Sequence, residues 1–354
     1  MKIALVLGAN VWFSPYVSIY TRFFEKKGVD YDIISWNRDG SNEGNISYDA
    51  PVLSTTSNLK KLQFLLSYIL FVIKTIKRNK YDKLVVFTPQ IAIPLSFFLM
   101  KHYKRNYIFD FRDLSIEQNK TFSLLFKRVL KHSYANVISS PGFKQCLPSE
   151  YNYIISHNFN EDEVKRCIST TPPFIRINTQ IIILTIGGIR DYTSNVEVIK
   201  ALANNSNILL RFIGKGDAAP LLHDFVEKNG IKNVEFEGYY PKEKEKDYIL
   251  ESTFLNIFYP RRLSHDTALS NRFYNSLIYK KPMIVTHGTI QGNYAEKYNV
   301  GISLSDCKEL NNKIRVWQEH NNYEDYCVRC NLLLKEFLRD YDKFHSMLNS
   351  FCNS

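Results

Sequence analysis

IIILTIGGIRDY (residues 181–192) is an apolar run that breaks into two glycines and an arginine, and the same rhythm returns three times before Pro282. ILLRFIGKGD (208–217) repeats strand then glycine turn, with Gly214, Lys215 and Gly216 before a helix carrying Leu221, Leu222, Phe225 and Val226. VEFEGYYPKEKEKDYI (234–249) turns at Gly238, Tyr239 and Tyr240. TFLNIFYP (253–260) leads through a polar loop to LSNRFYNSLIYKKPMIVT (269–286), a helix capped by Ser270 or Asn271 and followed by a strand from Met283. Strands that alternate with helices make a parallel sheet, and the strand-to-helix turns then share one edge, where such folds bind phosphorylated ligands. Glycine lets the backbone approach a phosphate closely, and Arg190 has the fork to hold one bidentately.

In its order of G-G-I-R, I-G-K-G, V-x-F-x-G-Y-Y and N-R-F-Y-N-S-L-x-x-x-K-P-M-I-V, this half resembles the donor-binding half of GT-B glycosyltransferases of the "glycosyl transferases group 1" kind (family 4-like). The resemblance implies an α/β fold of two Rossmann-like domains facing each other across a cleft. It also implies a donor site made of Gly188 and Arg190, Gly214 and Lys215, Gly238, Tyr239 and Tyr240, and Asn271, Arg272 and Asn275. Arg190 contacts the donor diphosphate in that scheme, and the third turn frames the nucleotide base. The last helix offers its N-terminal amides to phosphate and its Asn275 position to the ribose. Relatives often carry two glutamates seven residues apart, where this chain has Thr267 and Asn275. An amide still donates to and accepts from a ribose hydroxyl, whereas Thr267 brings no negative charge.

The N-terminal half reads as a second Rossmann-like domain, with strands at 2–7, 31–35, 83–88, 106–111, 136–139 and 153–156 and a long loop over 37–58. The expected domains are 1–165, an acceptor-binding domain on which the C-terminal helix 331–354 packs back, and 178–330, the donor-binding domain. Thr170, Thr171, Pro172 and Pro173 mark the linker. Gly8 turns after the first strand and joins the expected donor contacts. Asp110 and Asp113 flank Phe111-Arg112 at the end of a strand, placed to orient or deprotonate an acceptor hydroxyl, with an Arg–Asp structural pair as the alternative. His157 ends the last strand of this half and is the third catalytic candidate. Asp30-Tyr31-Asp32 and Asp340-Tyr341-Asp342 are read as solvated carboxylates rather than metal ligands.

The chain of 354 residues carries a formal net charge of +11, enough length for two cores and a charge suited to anionic partners. No zinc-finger pattern, RNA-binding block or long basic tract is present, which argues against nucleic acid. The six cysteines follow a start that reads as a β-strand rather than a secretory signal, so reduced thiols in a cytoplasmic protein are expected, and Cys327 and Cys330 read as ordinary helix residues. Leu62 to Lys77 is apolar but too short to span a bilayer, which needs about twenty residues, and reads as a buried helix; Pro94 interrupts a second apolar run at 91–100.

These readings combine into an enzyme that moves a sugar from a nucleotide-sugar donor to a lipid-linked or oligosaccharide acceptor in bacterial capsular, O-antigen or exopolysaccharide synthesis. It is expected to need no metal or other cofactor and to touch the inner face of the plasma membrane peripherally. The alternatives are a nucleotide-sugar epimerase of similar fold and a non-catalytic carbohydrate or nucleic-acid binder.

Overall fold

The computed structural model describes residues 1–354 except 42, 54, 116, 118 and 171–179, and the chain forms two compact units. The first comprises Met1–Asn158 and Arg339–Ser354, the second Phe159–Leu338.

In the first unit the strands are β1 (Lys2–Val6), β2 (Asp30–Asn37), β3 (Ile46–Asp49), β4 (Lys83–Phe87), β5 (Tyr107–Phe111), β6 (Ala135–Ile138) and β7 (Tyr153–Ile155). They form one parallel sheet in the order β3-β2-β1-β4-β5-β6-β7. The helices are α1 (Val17–Lys27), α2 (Asn58–Asn79), α3 (Pro89–His102) and α4 (Lys120–His132). KLVVF and YIFDF are buried at every position, as strands covered on both faces must be. Gly28 ends α1 in the left-handed conformation at φ 64°, its N–H donating to Glu25 O. Ser57 caps α2 by accepting from Lys60 N–H.

The second unit begins with α5 (Glu161–Ser169) and continues with β8 (Ile181–Ile186), α6 (Tyr192–Leu202), β9 (Ile208–Ile213), α7 (Ala218–Lys228), β10 (Val234–Glu237), α8 (Glu245–Glu251), β11 (Phe254–Ile257), α9 (Leu263–Thr267), α10 (Asn271–Ile278), β12 (Met283–Thr286), α11 (Ile290–Tyr298), β13 (Gly301–Leu304) and α12 (Leu310–His320). The last helix, α13 (Tyr323–Asn353), belongs to this unit as far as Leu338 and to the first from Arg339. The sheet order is β10-β9-β8-β11-β12-β13, again all parallel. Ile183, Ile199, Phe212, Leu222 and Phe254 are among its fully buried core residues, each contributing roughly 1.5–3 kcal/mol by leaving water.

Several expectations are corrected. The loop read over 37–58 contains β3, a short edge strand whose pattern ISYD is too polar to announce itself. Helix α3 runs through Pro94 without ending, and α2 buries only one face. The unit boundaries fall at Asn158 and Leu338 instead of 165 and 330, because α5 and the first half of α13 count with the second unit. The linker expected from Thr170 lies, from residue 171 on, outside the described residues.

Candidate functional site

In both sheets the strand order reverses once, between β1 and β4 in the first and between β8 and β11 in the second. Ligands of open parallel sheets bind at that switch point, outside the carboxyl ends of the strands. In the second unit the turn after β8 sits there. Gly187 has φ 94° and its N–H donates to Ile213 O at 2.9 Å; Gly214 has φ 132°, and a β-carbon on it would lie 2.0 Å from Gly187 O. A β-carbon on Gly216 would lie 2.1 Å from Ile189 O. The first two glycine turns are therefore packed backbone against backbone, which only glycine permits.

Two cations stand on these turns. Arg190 is exposed, forms no hydrogen bond or ion pair among the described residues, and lies over Gly188, where a β-carbon would come within 3.3 Å of its Nε. Lys215 is also exposed, its Nζ 5.4 Å from the ring centre of Tyr239, which is itself 73% exposed. Arg272 is placed differently. It is buried, donating from Nε to Ile186 O at 2.5 Å, from Nη2 to Gly188 O at 2.9 Å and from Nη1 to Asn256 O at 3.4 Å. Its guanidinium thus clamps the carbonyl ends of β8 and β11 and sets the shape of the turn. Asn256 is buried beside it and donates to Thr185 Oγ1 and Asn195 Oδ1.

Helix α10 is capped by Ser270, whose Oγ accepts from Phe273 N–H and whose N–H and hydroxyl both donate to Gln291 Oε1. Asn271 is exposed at its first position, where the helix dipole favours an anion. Asn275, one turn on, donates to Glu245 Oε1 at 3.1 Å. Glu245 also accepts from Lys242 Nζ at 2.5 Å and, on its other oxygen, from the Tyr240 hydroxyl at 2.8 Å. Burial and that carboxylate push the Tyr240 pKa upward, so the phenol remains a donor. Gly238 has no atom within 4 Å of where a β-carbon would stand. Thr267 is buried and donates to Leu263 O at 2.7 Å.

Glu245 is the residue that sequence reading missed. It lies in the charged run KEKEK (242–246), and the fold turns it toward Asn275. A carboxylate therefore stands next to Asn275 from a different element.

In the first unit the expected catalytic trio separates. Asp110 is completely buried, its Oδ2 accepting from Arg112 Nη2 at 2.5 Å and from the Tyr20 hydroxyl at 2.6 Å. Arg112 continues to Ser156 O at 3.0 Å and lies over the Tyr16 ring. Asp110 is thus the structural half of an Arg–Asp pair, closed to any acceptor, which corrects its assignment as a base. Asp113 is exposed, and the protein around it raises its pKa chiefly by desolvation, opposed by Arg112 and reinforced by Glu117. His157 is also completely buried, its Nε2 3.4 Å from Asp340 Oδ2 on α13. Burial works to raise the Asp340 pKa, but His157 and Lys343 bring it below the usual value. Neither Asp340 nor Asp32 is a simple solvated carboxylate, since Asp32 pairs with Lys2 at 2.6 Å and accepts from Tyr81. Gly8 packs against Ile91, where a β-carbon would meet Cγ1 at 3.0 Å, so its role there is close packing of β1 on α3.

Among the described residues one grouping has the makings of a metal site, His223, Asp224 and Glu227 on α7, all exposed. Cys327 and Cys330 are buried and free.

The fold is shared with solved structures along its whole length. A sucrose-phosphate synthase from Thermosynechococcus elongatus matches with a TM-score of 0.69 at 11% identity, covering 100% of both chains. Anabaena HepE, solved with UDP-glucose, matches at 0.66 and 11% identity over 99% of this chain and 100% of its own. WaaG, a glycosyltransferase involved in lipopolysaccharide biosynthesis, matches at 0.57 and 12% identity over 93% of each. The chain has the GT-B fold, two Rossmann-like units. No protein-family model and no curated protein matches the sequence.

Proposed function

We propose that the protein is a glycosyltransferase that moves a sugar from a nucleotide-sugar donor to a lipid-linked or oligosaccharide acceptor in bacterial cell-surface polysaccharide synthesis. The observation that carries the reading is the edge of the second unit, where two close-packed glycine turns leave Arg190 and Lys215 exposed beside the clamp of Arg272. Solved structures of similar fold hold UDP-glucose and UDP-2-fluoro glucose, which supports a nucleotide sugar as the ligand.

The chemistry follows from those groups. As the sugar–phosphate bond breaks, negative charge grows on the departing diphosphate, and Arg190, Lys215 and the first turn of α10 neutralise it. Asp113, exposed and with a raised pKa, is the group of the first unit suited to take the proton of an acceptor hydroxyl. The reading includes metal independence, with the charge stabilised by these cations.

Contact with an anionic membrane is part of the same reading. Helices α2, α3 and α4 pack side by side and contain no Asp or Glu, while α2 alone carries Lys60, Lys61, Lys74, Lys77 and Arg78. Leu59, Leu62, Leu66 and Leu70 form an exposed stripe on α2, spaced by three, four and four residues. Burial, with Lys104, Lys131, Arg105 and Arg128 around it, lowers the His132 pKa, which marks how densely positive charge gathers there. Among the described residues no helix is long and apolar enough to cross a membrane.

The test is a thermal-shift screen against UDP, GDP, CMP and dTDP sugars, followed by transfer of labelled sugar with and without EDTA. Stabilisation by one nucleotide class and EDTA-resistant transfer are expected. No binding of any nucleotide sugar overturns the reading, and conversion of the donor without an acceptor favours an epimerase.

A further inference from the structure

The loop after β1 carries two aromatic side chains that the core does not use. Trp12 and Phe13 are each 57% exposed, with ring centres 3.9 Å apart and planes tilted by 32°. Large apolar rings left in water at a ligand-binding sheet edge call for an explanation. They stand in the segment that follows β1, at the switch point of the first sheet, with the loop after β2 beside them.

The segment is fixed by polar contacts to the loop after β2. Asn10 is completely buried; its Nδ2 donates to Asn37 Oδ1, Asp39 Oδ1 and Ser41 Oγ, and its Oδ1 accepts from Arg38 N–H. The indole N–H of Trp12 donates to Asp39 Oδ2 at 2.8 Å. Glu43 accepts from Val11 N–H at 2.8 Å on one oxygen and from Trp12 N–H at 2.9 Å on the other. The rings are therefore held in place before any ligand arrives, which removes an ordering cost from binding. Two carboxylates flank them, and each oxygen that accepts a single hydrogen bond has a lone pair left over.

We propose that the Trp12–Phe13 pair offers its outer ring face to a neutral pyranose, with Asp39 and Glu43 accepting hydrogen bonds from its hydroxyls. A pyranose presents C–H bonds on one face and hydroxyls around its rim, so an aromatic plane bordered by carboxylates matches both. The same carboxylates repel phosphate and carboxylate groups, which disfavours a nucleotide or an acidic lipid headgroup here. Hydrogen bonds from Ser41 N–H and Oγ, with those from Trp12 and Asn10, hold the Asp39 carboxyl below its usual pKa, so it is ionised. This site rests on the glycosyltransferase reading only in taking the sugar to be the acceptor.

The test uses saturation-transfer NMR on the full chain with cellobiose and lactose at millimolar concentration, sorbitol as a ringless polyol, and a parallel thermal shift with the nucleotide sugar. Transfer to ring C–H protons of at least one disaccharide is expected. Trp12→Ala and Phe13→Ala should weaken apparent affinity about tenfold or more, with Trp12→Phe retaining most of it. The surface variant Leu332→Ser, on α13, should behave as the parent, and both Ala variants should keep their melting temperature and nucleotide-sugar shift. Absence of transfer in the parent, equal transfer in Trp12→Ala, or an equal signal from sorbitol overturns the site. Trp12→Ala that loses binding to phosphatidylglycerol vesicles while keeping sugar binding also overturns it, in favour of lipid contact. Nucleotide-sugar binding without saccharide binding refutes the platform alone, and the converse refutes the donor reading alone.

Discussion

A β-carbon on Gly214 would lie 2.0 Å from the carbonyl oxygen of Gly187, and Gly214 itself sits at φ 132°. The two turns that shape the candidate donor edge are thus locked together by an approach no side chain permits. Gly214→Ala should destabilise the second unit by at least about 1–3 kcal/mol from backbone strain alone, and the clash should abolish nucleotide binding. Gly238→Ala, with nothing within 4 Å, should change stability little. Urea melts and nucleotide titrations of both variants check the contrast, which fails if the two behave alike.

Arg190 and Arg272 should part in the same assays. Arg190 has open solvent around its guanidinium, so Arg190→Ala should leave the melting temperature unchanged and weaken nucleotide-sugar binding by roughly 1.5–3 kcal/mol. Arg272 satisfies three carbonyls, and Arg272→Ala should lower stability as well as binding. Unchanged donor affinity in a folded Arg190→Ala protein would remove that residue from the site.

The two aspartates at the end of β5 should also separate. Asp113→Asn is expected to lower turnover about a hundredfold with nucleotide binding intact. Because the Asp113 pKa is raised in the fold, the acid limb of the rate profile should sit above the ordinary 3.8. Asp110→Asn removes the buried partner of Arg112 and should destabilise the first unit by about 3–5 kcal/mol, the usual effect of stranding a buried charge. Normal turnover in Asp113→Asn would end its role as a base.

Lys281 gives a prediction in pH. Burial lowers its pKa from 10.5 to about 8, while its Nζ donates to Leu250 O. Below pH 8 the lysine is protonated both folded and unfolded, and the desolvation cost is fully present. As pH rises from about 8 to 10.5 the folded form releases its proton first and the cost fades. Lys281→Met should therefore stabilise the protein at neutral pH, by at most about 3 kcal/mol less the lost hydrogen bond, and the advantage should shrink across that window. An advantage independent of pH would show that its origin is packing.

Vesicle binding tests the acid-free helices. Adsorption to anionic vesicles should fall as salt rises, since each basic residue near the surface contributes about 1 kcal/mol before screening. Replacing Leu59, Leu62, Leu66 and Leu70 with serine should weaken it further without loss of melting temperature, because all four are exposed. No adsorption at low salt would leave a soluble acceptor as the better reading.

The repeated pattern of apolar strand, glycine turn and amphipathic helix is legible along the chain without its fold. Strand burial, glycine geometry and helix capping are local properties, so IIILTIGG, ILLRFIGKG and the Ser270 cap could be read in order along the chain. β3 escaped because an edge strand of four residues needs only its neighbour's hydrogen bonds, not a run of apolar side chains. Which charges stay free follows from contacts made between distant parts of the chain. Arg190 and Arg272 are the same residue type near the same turn, yet one faces solvent and the other is spent on three carbonyls. Asp110 and Asp113 lie three residues apart; the first belongs to β5, which is covered on both faces, and is held by Tyr20 and Arg112, while the second lies past the strand and is exposed. Glu245 meets Asn275 across thirty residues of chain. A side chain's partners depend on contacts distant in sequence, and no local pattern encodes them.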